Sequence, residues 1–215
     1  MNPEPGPRPS MIENASVRFF DLQFQRQVAA GEHALNPFEC AALPHLKGRV
    51  LDYGCGLGHL SLEAARRGHS VLALDASPAA VAYLRDAAAR ESLALQAFEA
   101  DLRTFELTED FDSIVCIGLL MFFDCPTAQA QLRALQARVR PGGVLVLNVL
   151  TQGTTYMEMF SPQGHCLFEP EALRDCFRSW ELLDWRRDEF AAPSSTVKVF
   201  VTIMARKPAH DAGDA

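Results

Sequence analysis

Between residues 49 and 149 the chain repeats one pattern: a short apolar run, a turn-forming residue, then a longer segment with helical spacing. Strands separated by helices of ten or more residues pair in parallel through right-handed crossovers, so this alternation leaves few possible folds. Residues 49–53, 70–74, 93–98, 111–117 and 144–149 read as five such strands. Helices are expected over 12–30, from Asn36-Pro37, and over 59–67, 77–91 and 128–139, with Ser77 capping and Pro78 in the first turn. Pro141-Gly142-Gly143 is expected to end the last of these and turn into the fifth strand. Residues 180–188 and 196–205 look like two further strands with no room for a helix between them, hence an antiparallel pair. The fold class is α/β: an open, mostly parallel seven-stranded sheet with one antiparallel strand and helices on both faces.

The chain's 215 residues suit one domain, expected over 11–207. Residues 1–10 hold four prolines and are expected to be a flexible arm, and 208–215 a flexible tail. With 27 acidic and 20 basic residues the net charge is −7, which argues against nucleic acid as a partner. Met1-Asn2-Pro3-Glu4-Pro5 lacks the basic start and apolar core of a secretory leader, and the longest apolar run, 114–123, is too short to span a bilayer. Cysteines at 40, 55, 116, 125, 166 and 176 form no Cys-x-x-Cys pair. They are expected to be small buried hydrophobes in a reducing, cytoplasmic setting, without a disulfide framework or structural zinc. No metal site is expected, because histidines 33, 45, 59, 69, 165 and 210 include no i, i+4 pair.

The stretch carrying most chemical information is Asp52-Tyr53-Gly54-Cys55-Gly56-Leu57-Gly58, which follows a strand and opens a helix. Glycines allow the tight turn and close approach of backbone to a ligand. A dinucleotide fingerprint would need its third glycine at 59, where this chain has His59; here the third glycine is Gly58, and Asp52 precedes the loop. A carboxylate repels a pyrophosphate but suits an ammonium group, so S-adenosylmethionine fits this loop better than a nicotinamide dinucleotide. Asp75 ends the second strand, where a carboxylate can accept protons from both ribose hydroxyls, with Ala76 beside it. Its structural alternative is a helix-start acid. Asp101-Leu102 follows the third strand, placed to meet an adenine edge or simply to sit in a loop.

With these motifs the chain resembles the class I S-adenosylmethionine-dependent methyltransferases, which have a Rossmann-like fold. The likeness rests on Val50-Leu51-Asp52-Tyr53-Gly54-Cys55-Gly56-Leu57-Gly58, Leu72-Ala73-Leu74-Asp75, Ala100-Asp101-Leu102, Phe111-Asp112-Ser113-Ile114-Val115 and Arg140-Pro141-Gly142-Gly143-Val144. The resemblance implies that Asp52, Gly54, Cys55, Gly56 and Gly58 face the methionine part of the cofactor. It also implies that Asp75 and Ala76 hold the ribose, that Asp101 and Leu102 meet adenine, and that Cys116 and Ile117 flank the amino group. Within the class, the chain is similar to the tellurite-resistance methyltransferases through Leu120-Met121-Phe122-Phe123, Phe168-Glu169-Pro170-Glu171-Ala172-Leu173-Arg174, Trp180-Glu181 and Ala205-Arg206-Lys207. It departs from that subfamily after the sixth strand, where Asp188-Glu189-Phe190 stands in place of a His-Arg pair.

On the acceptor side, Met121, Phe122 and Phe123 follow the fourth strand and could wall the transferred methyl, or belong to the core. Tyr156, His165 and Phe168 lie after the fifth strand, as a lid would, and His165 could orient or deprotonate a substrate or simply be exposed. Phe19 and Phe20 either cover the cofactor or pack their helix on the domain. No side chain announces itself as catalytic, because methyl transfer from a sulfonium needs mainly alignment. The acceptor is expected to be a small molecule, with no nucleic acid or membrane as partner. Without an evident carboxylate–histidine pair, a soft sulfur, selenium or tellurium nucleophile is the expected acceptor atom. Two alternatives stay open: an NAD(P)-binding oxidoreductase, and a non-catalytic S-adenosylmethionine-binding regulatory module.

Overall fold

The computed structural model describes residues 15–31, 34–161 and 164–209. The arm expected over 1–10, the start of the first expected helix, and tail residues 210–215 lie outside the described residues.

Seven strands form one sheet: β1 (Arg49–Tyr53), β2 (Ser70–Asp75), β3 (Leu95–Glu99), β4 (Phe111–Ile117), β5 (Val139–Leu150), β6 (Glu181–Ala192) and β7 (Thr196–Arg206), in the order β3-β2-β1-β4-β5-β7-β6. Strands β1 to β5 pair in parallel, and β7 runs antiparallel to both β5 and β6, so it is the one reversed strand. Among the described residues six α-helices accompany the sheet: α1 (Ala15–Ala30), α2 (Pro37–Ala42), α3 (His59–Arg66), α4 (Pro78–Arg90), α5 (Cys125–Arg138) and α6 (Pro170–Asp175). This is the Rossmann-like α/β architecture expected from the alternation. Among the described residues no helix is long and apolar enough to cross a membrane.

Side chains alternate between the two faces of each strand, and each face buries its own core. On one face Val50, Val115, Val146 and Met204 pack with Ala42, Leu60 and Ala64 of α2 and α3. On the other, Leu51, Ile114, Leu147 and Ile203 pack with Leu132 and Leu135 of α5 and Leu173 of α6. The α4 residues Val81 and Leu84 cover Ala73 and Ala97 of β2 and β3.

Several elements differ from the sequence reading, among them β6, which runs on to Ala192 instead of ending at 188, and β3, which starts at Leu95 instead of 93. Helix α5 begins at Cys125, not residue 128, because Asp124 caps it by accepting the Thr127 N–H at 2.9 Å, with proline in the first turn. Strand β5 begins at Val139, not 144, and takes in Pro141-Gly142-Gly143. That turn is laced to the end of β7, with the Gly142 N–H donating to the Lys207 carbonyl at 3.0 Å and the Lys207 N–H to the Gly143 carbonyl at 2.9 Å. Helix α6 was not expected; Glu169 caps it and Pro170 opens it.

The expectation of no disulfide is also corrected. Cys125 and Cys166 are bonded, with their Cα atoms 4.7 Å apart across a separation of 41 residues. Sequence spacing missed the pair because the Cys166 N–H donates to the Met121 carbonyl at 3.0 Å, docking the segment after β5 against the start of α5. Of the other cysteines, Cys55 and Cys116 are buried, but Cys40 and Cys176 are exposed.

Candidate active site

The strand order reverses between β1 and β4, and in open α/β sheets ligands bind beyond the carboxyl ends of the strands at that point. Here those ends border a cavity of about 970 Å³. The glycine loop forms one wall. The Gly54 and Cys55 N–H groups both donate to the Leu74 carbonyl, at 2.8 and 3.0 Å, fastening the loop to β2. Gly58 caps α3 in the left-handed conformation, φ 69°, and a Cβ there would lie 2.5 Å from Leu84, so only glycine fits.

The three acids predicted to hold the cofactor sit in different environments. Asp75 accepts the Gly56 N–H through Oδ2 and the Ser77 N–H through Oδ1, each at 2.8 Å. Each oxygen keeps a further lone pair for a ligand hydroxyl. Burial pushes this carboxyl up, and the backbone N–H bonds oppose the push. Asp52 is buried and accepts the Ser61 hydroxyl at 2.6 Å. Burial raises its pKa to about 7; Ser61 counteracts this, and the neighbouring Glu39 and Asp75 charges add to it. A ligand ammonium beside Asp52 would restore the ionised form, which is the fit that S-adenosylmethionine requires. Asp101 is gripped by Arg103 at 2.6 and 2.8 Å, and that guanidinium holds its carboxyl below the usual range.

Ten of the eleven residues named for the cofactor line this cavity: Asp52, Gly54, Cys55, Gly56, Gly58, Asp75, Ala76, Asp101, Leu102 and Ile117. Cys116 does not; it is fully buried in the core on the α5 side, because it alternates with Ile117 along β4. On the acceptor side Met121, Phe122 and Tyr156 line the cavity, as does Phe123. His165 and Phe168 do not. The His165 ring stacks on Phe160 with centroids 4.9 Å apart, and Phe168 is buried in the core.

The structure adds wall residues that sequence reasoning missed. Phe24 of α1 lines the cavity alongside Phe19 and Phe20, and the Phe20 ring meets Phe122 edge-on at 4.9 Å. Glu39 comes from α2, Asn148 from β5, and Lys198 and Phe200 from β7. Burial pushes the Glu39 carboxyl up and the Lys198 ammonium down. Asn148 was legible as the one polar residue in the apolar run 144–150. Glu39 was hidden by its other task, since it closes a capping box by accepting the Asn36 N–H at 2.7 Å.

Comparison with known proteins agrees with this geometry. Residues 50–143 match the family model of a methyltransferase domain. The chain is 34% identical over 166 residues to Hemagglutinin 1 of Eikenella corrodens, covering 74% of this chain but only 55% of that protein. It is 32% identical over 174 residues to a ubiquinone biosynthesis O-methyltransferase of Xanthomonas oryzae pv. oryzae, covering 73% of this chain and 69% of that one. Among solved structures it resembles TehB from Haemophilus influenzae, with a TM-score of 0.71 at 20% identity, over 84% of this chain and 65% of that chain. That likeness shows the shared fold. The loop after β1, the acids after β2 and β3 and the matched relatives leave no place for a nicotinamide reading: the chain belongs to the class I S-adenosylmethionine-dependent methyltransferases, enzymes whose cofactor is S-adenosylmethionine.

Proposed function

We propose that this protein methylates a small organic molecule, and that the accepting atom is a soft nucleophile: sulfur, selenium or tellurium. One observation carries the reading. A single cavity has the glycine loop, Asp52 and Asp75 on one side and Met121, Phe122, Tyr156 and Phe200 on the other. A methyl donor and an apolar acceptor can therefore lie side by side. S-adenosylmethionine supplies an activated methyl on a sulfonium that leaves readily. With it bound, the acceptor's lone pair would form the new bond to the methyl carbon as the carbon–sulfonium bond breaks, leaving S-adenosylhomocysteine. Alignment is what the walls contribute. Thiols with a free pKa of roughly 8.5 are partly ionised at neutral pH and need no base. His165, the histidine considered for that task, faces Phe160 instead of the cavity. Neither nucleic acid nor membrane is needed as a partner on this reading.

A second reading is favoured by Glu39, whose carboxyl stands on the cavity wall with its pKa raised, as a general base for an oxygen or nitrogen acceptor requires. The O-methyltransferase relative points the same way. A pH–rate profile with a thiol and a phenol of similar size, for wild type and Glu39→Gln, separates the two. The soft-acceptor reading expects the thiol to be methylated and Glu39→Gln to retain most turnover. Efficient methylation of the phenol, lost in Glu39→Gln while the thiol is ignored, overturns it. Binding of S-adenosylhomocysteine without turnover of any acceptor would indicate a regulatory module.

A further inference from the structure

The wall contributed by β5 and β7 carries two polar groups that the reading above does not use. Asn148 is fully buried, and its amide nitrogen donates to the Thr202 hydroxyl at 2.9 Å. Its amide oxygen has no hydrogen-bond partner, although the residue lines the cavity. A buried acceptor left unpaired costs about 1–3 kcal/mol, so such an atom in a cavity wall marks a place where a ligand donor belongs. Lys198 lies on the same face of β7 as Thr202 and Phe200, also lines the cavity, and has its ammonium 4.8 Å above the Tyr156 ring. Among the described residues no carboxylate forms a salt bridge with it, whereas eleven such bridges occur elsewhere in the chain.

Asn148 pairs with Thr202, and Lys198 stands four residues further along β7. The two groups are thus separated by on the order of 13 Å of strand, which their side chains shorten. Phe38 and Phe200 lie on the walls between them, with ring centroids 5.1 Å apart. A bare oxyanion cannot touch both polar ends of such a site. A flat molecule with an anionic group at one end can.

We propose that Asn148 and Lys198 select the methyl acceptor: an aromatic carboxylate whose acid group pairs with Lys198 and whose hydrogen-bond donor meets the Asn148 amide oxygen. The inference rests on the small-molecule methyltransferase reading and fixes the class of acceptor within it. It holds whether the accepting atom is sulfur or oxygen.

The test uses the full-length protein with 4-mercaptobenzoate, 4-hydroxybenzoate and their methyl esters as probes, reading S-adenosylhomocysteine formation. Wild type should prefer each acid over its ester by about tenfold or more in kcat/KM, as expected for a charge-assisted contact. Lys198→Met should bring that ratio close to one, and Lys198→Arg should restore it, because arginine keeps the charge but cannot act as a base. Asn148→Leu should raise the KM for 4-hydroxybenzoate, whose hydroxyl is the donor, without changing S-adenosylhomocysteine affinity in calorimetry; an unchanged KM overturns the Asn148 contact. Equal use of acid and ester by wild type overturns the proposal. So does failure of Lys198→Arg to restore the preference when its S-adenosylhomocysteine affinity is unchanged. If none of the probes is methylated, the methyl-transfer reading fails for this class, and the site is still read by thermal shift of the S-adenosylhomocysteine-loaded protein. A shift by the acids but not the esters, absent in Lys198→Met, supports the site; no acid-selective shift overturns it.

Discussion

The two halves of the cavity are built in opposite ways. The half proposed for the cofactor is made of short stretches that follow directly from β1, β2 and β3, and much of its surface is backbone. Gly54, Cys55 and Gly56 are fastened by their own N–H groups to Leu74 and Asp75. The half proposed for the acceptor is made of side chains from α1, α2, β5, β7 and the segments that follow β4 and β5, which are far apart in sequence. It is tied together by the Cys125–Cys166 bond and by ring contacts such as Phe20–Phe122 and Phe122–Phe160. Backbone geometry tolerates few alternatives, so a loop of this kind can be recognised from residue types alone. A wall of side chains can be rebuilt from many residues, so it records a particular acceptor and leaves a weaker trace in the sequence.

If this contrast is right, damage to the loop should abolish cofactor binding, while damage to the clasp should fall on the acceptor. The largest effect is expected for Gly56→Val. Gly56 has φ 52°, and a Cβ there would lie 3.0 Å from the Phe24 ring. Strain and overpacking of about 3 kcal/mol or more should lower S-adenosylhomocysteine affinity by roughly 100-fold in calorimetry. Unchanged affinity would break the view that the loop's backbone makes the site.

Next comes the clasp. Replacing both Cys125 and Cys166 by serine should lower unfolding stability by about 2–4 kcal/mol, read by denaturant titration against wild type under non-reducing conditions. The same variant should raise acceptor KM more than it weakens S-adenosylhomocysteine binding, since the bond joins the two segments of the acceptor wall. Equal losses on both sides would contradict the division.

The pH dependence sharpens the comparison on the cofactor side. Because the Asp52 carboxyl is held at about 7, the free folded protein keeps a proton that the unfolded chain loses near pH 4. This group's contribution to folding stability is therefore whole below about pH 4 and is lost as pH rises through 7. Binding of an ammonium ligand runs the other way, because it needs the ionised carboxylate. S-adenosylhomocysteine affinity should rise as the pH rises towards 7 and Asp52 ionises. Asp52→Asn should remove the rising limb; a rise that survives would remove Asp52 from the amino-group role.

The smallest effect is expected at the rim. Arg103 grips Asp101, but their side chains are 43% and 30% exposed. Arg103→Ala should change stability by less than about 1 kcal/mol and S-adenosylhomocysteine affinity by no more than a few-fold. A large loss would make Arg103 a cofactor contact in its own right.

How much of this was legible beforehand depends on the range of the interaction. The seven strands, their mostly parallel pairing and the one reversed strand followed from the alternation, because strand and helix periods are properties of local sequence. Misplaced boundaries, at α5 and β5, had caps and turns that were either overlooked, as with Asp124-Cys125-Pro126, or held by distant partners, as with Gly142, Gly143 and Lys207. His165 and Phe168 were placed in the right segment, but their facing depends on how that segment docks, which no local pattern records.

By itself the sequence determined the α/β fold, the loop after β1 and the acids at the ends of β1 and β2 and after β3, since each is a run of neighbours whose backbone geometry is set by residue type. Only the tertiary structure decided that Cys125 meets Cys166, that Cys116 faces the core, and that Glu39, Asn148 and Lys198 share one cavity. Those facts depend on which face each side chain takes and which strands lie side by side, and both are settled by packing between segments that are not neighbours in the chain.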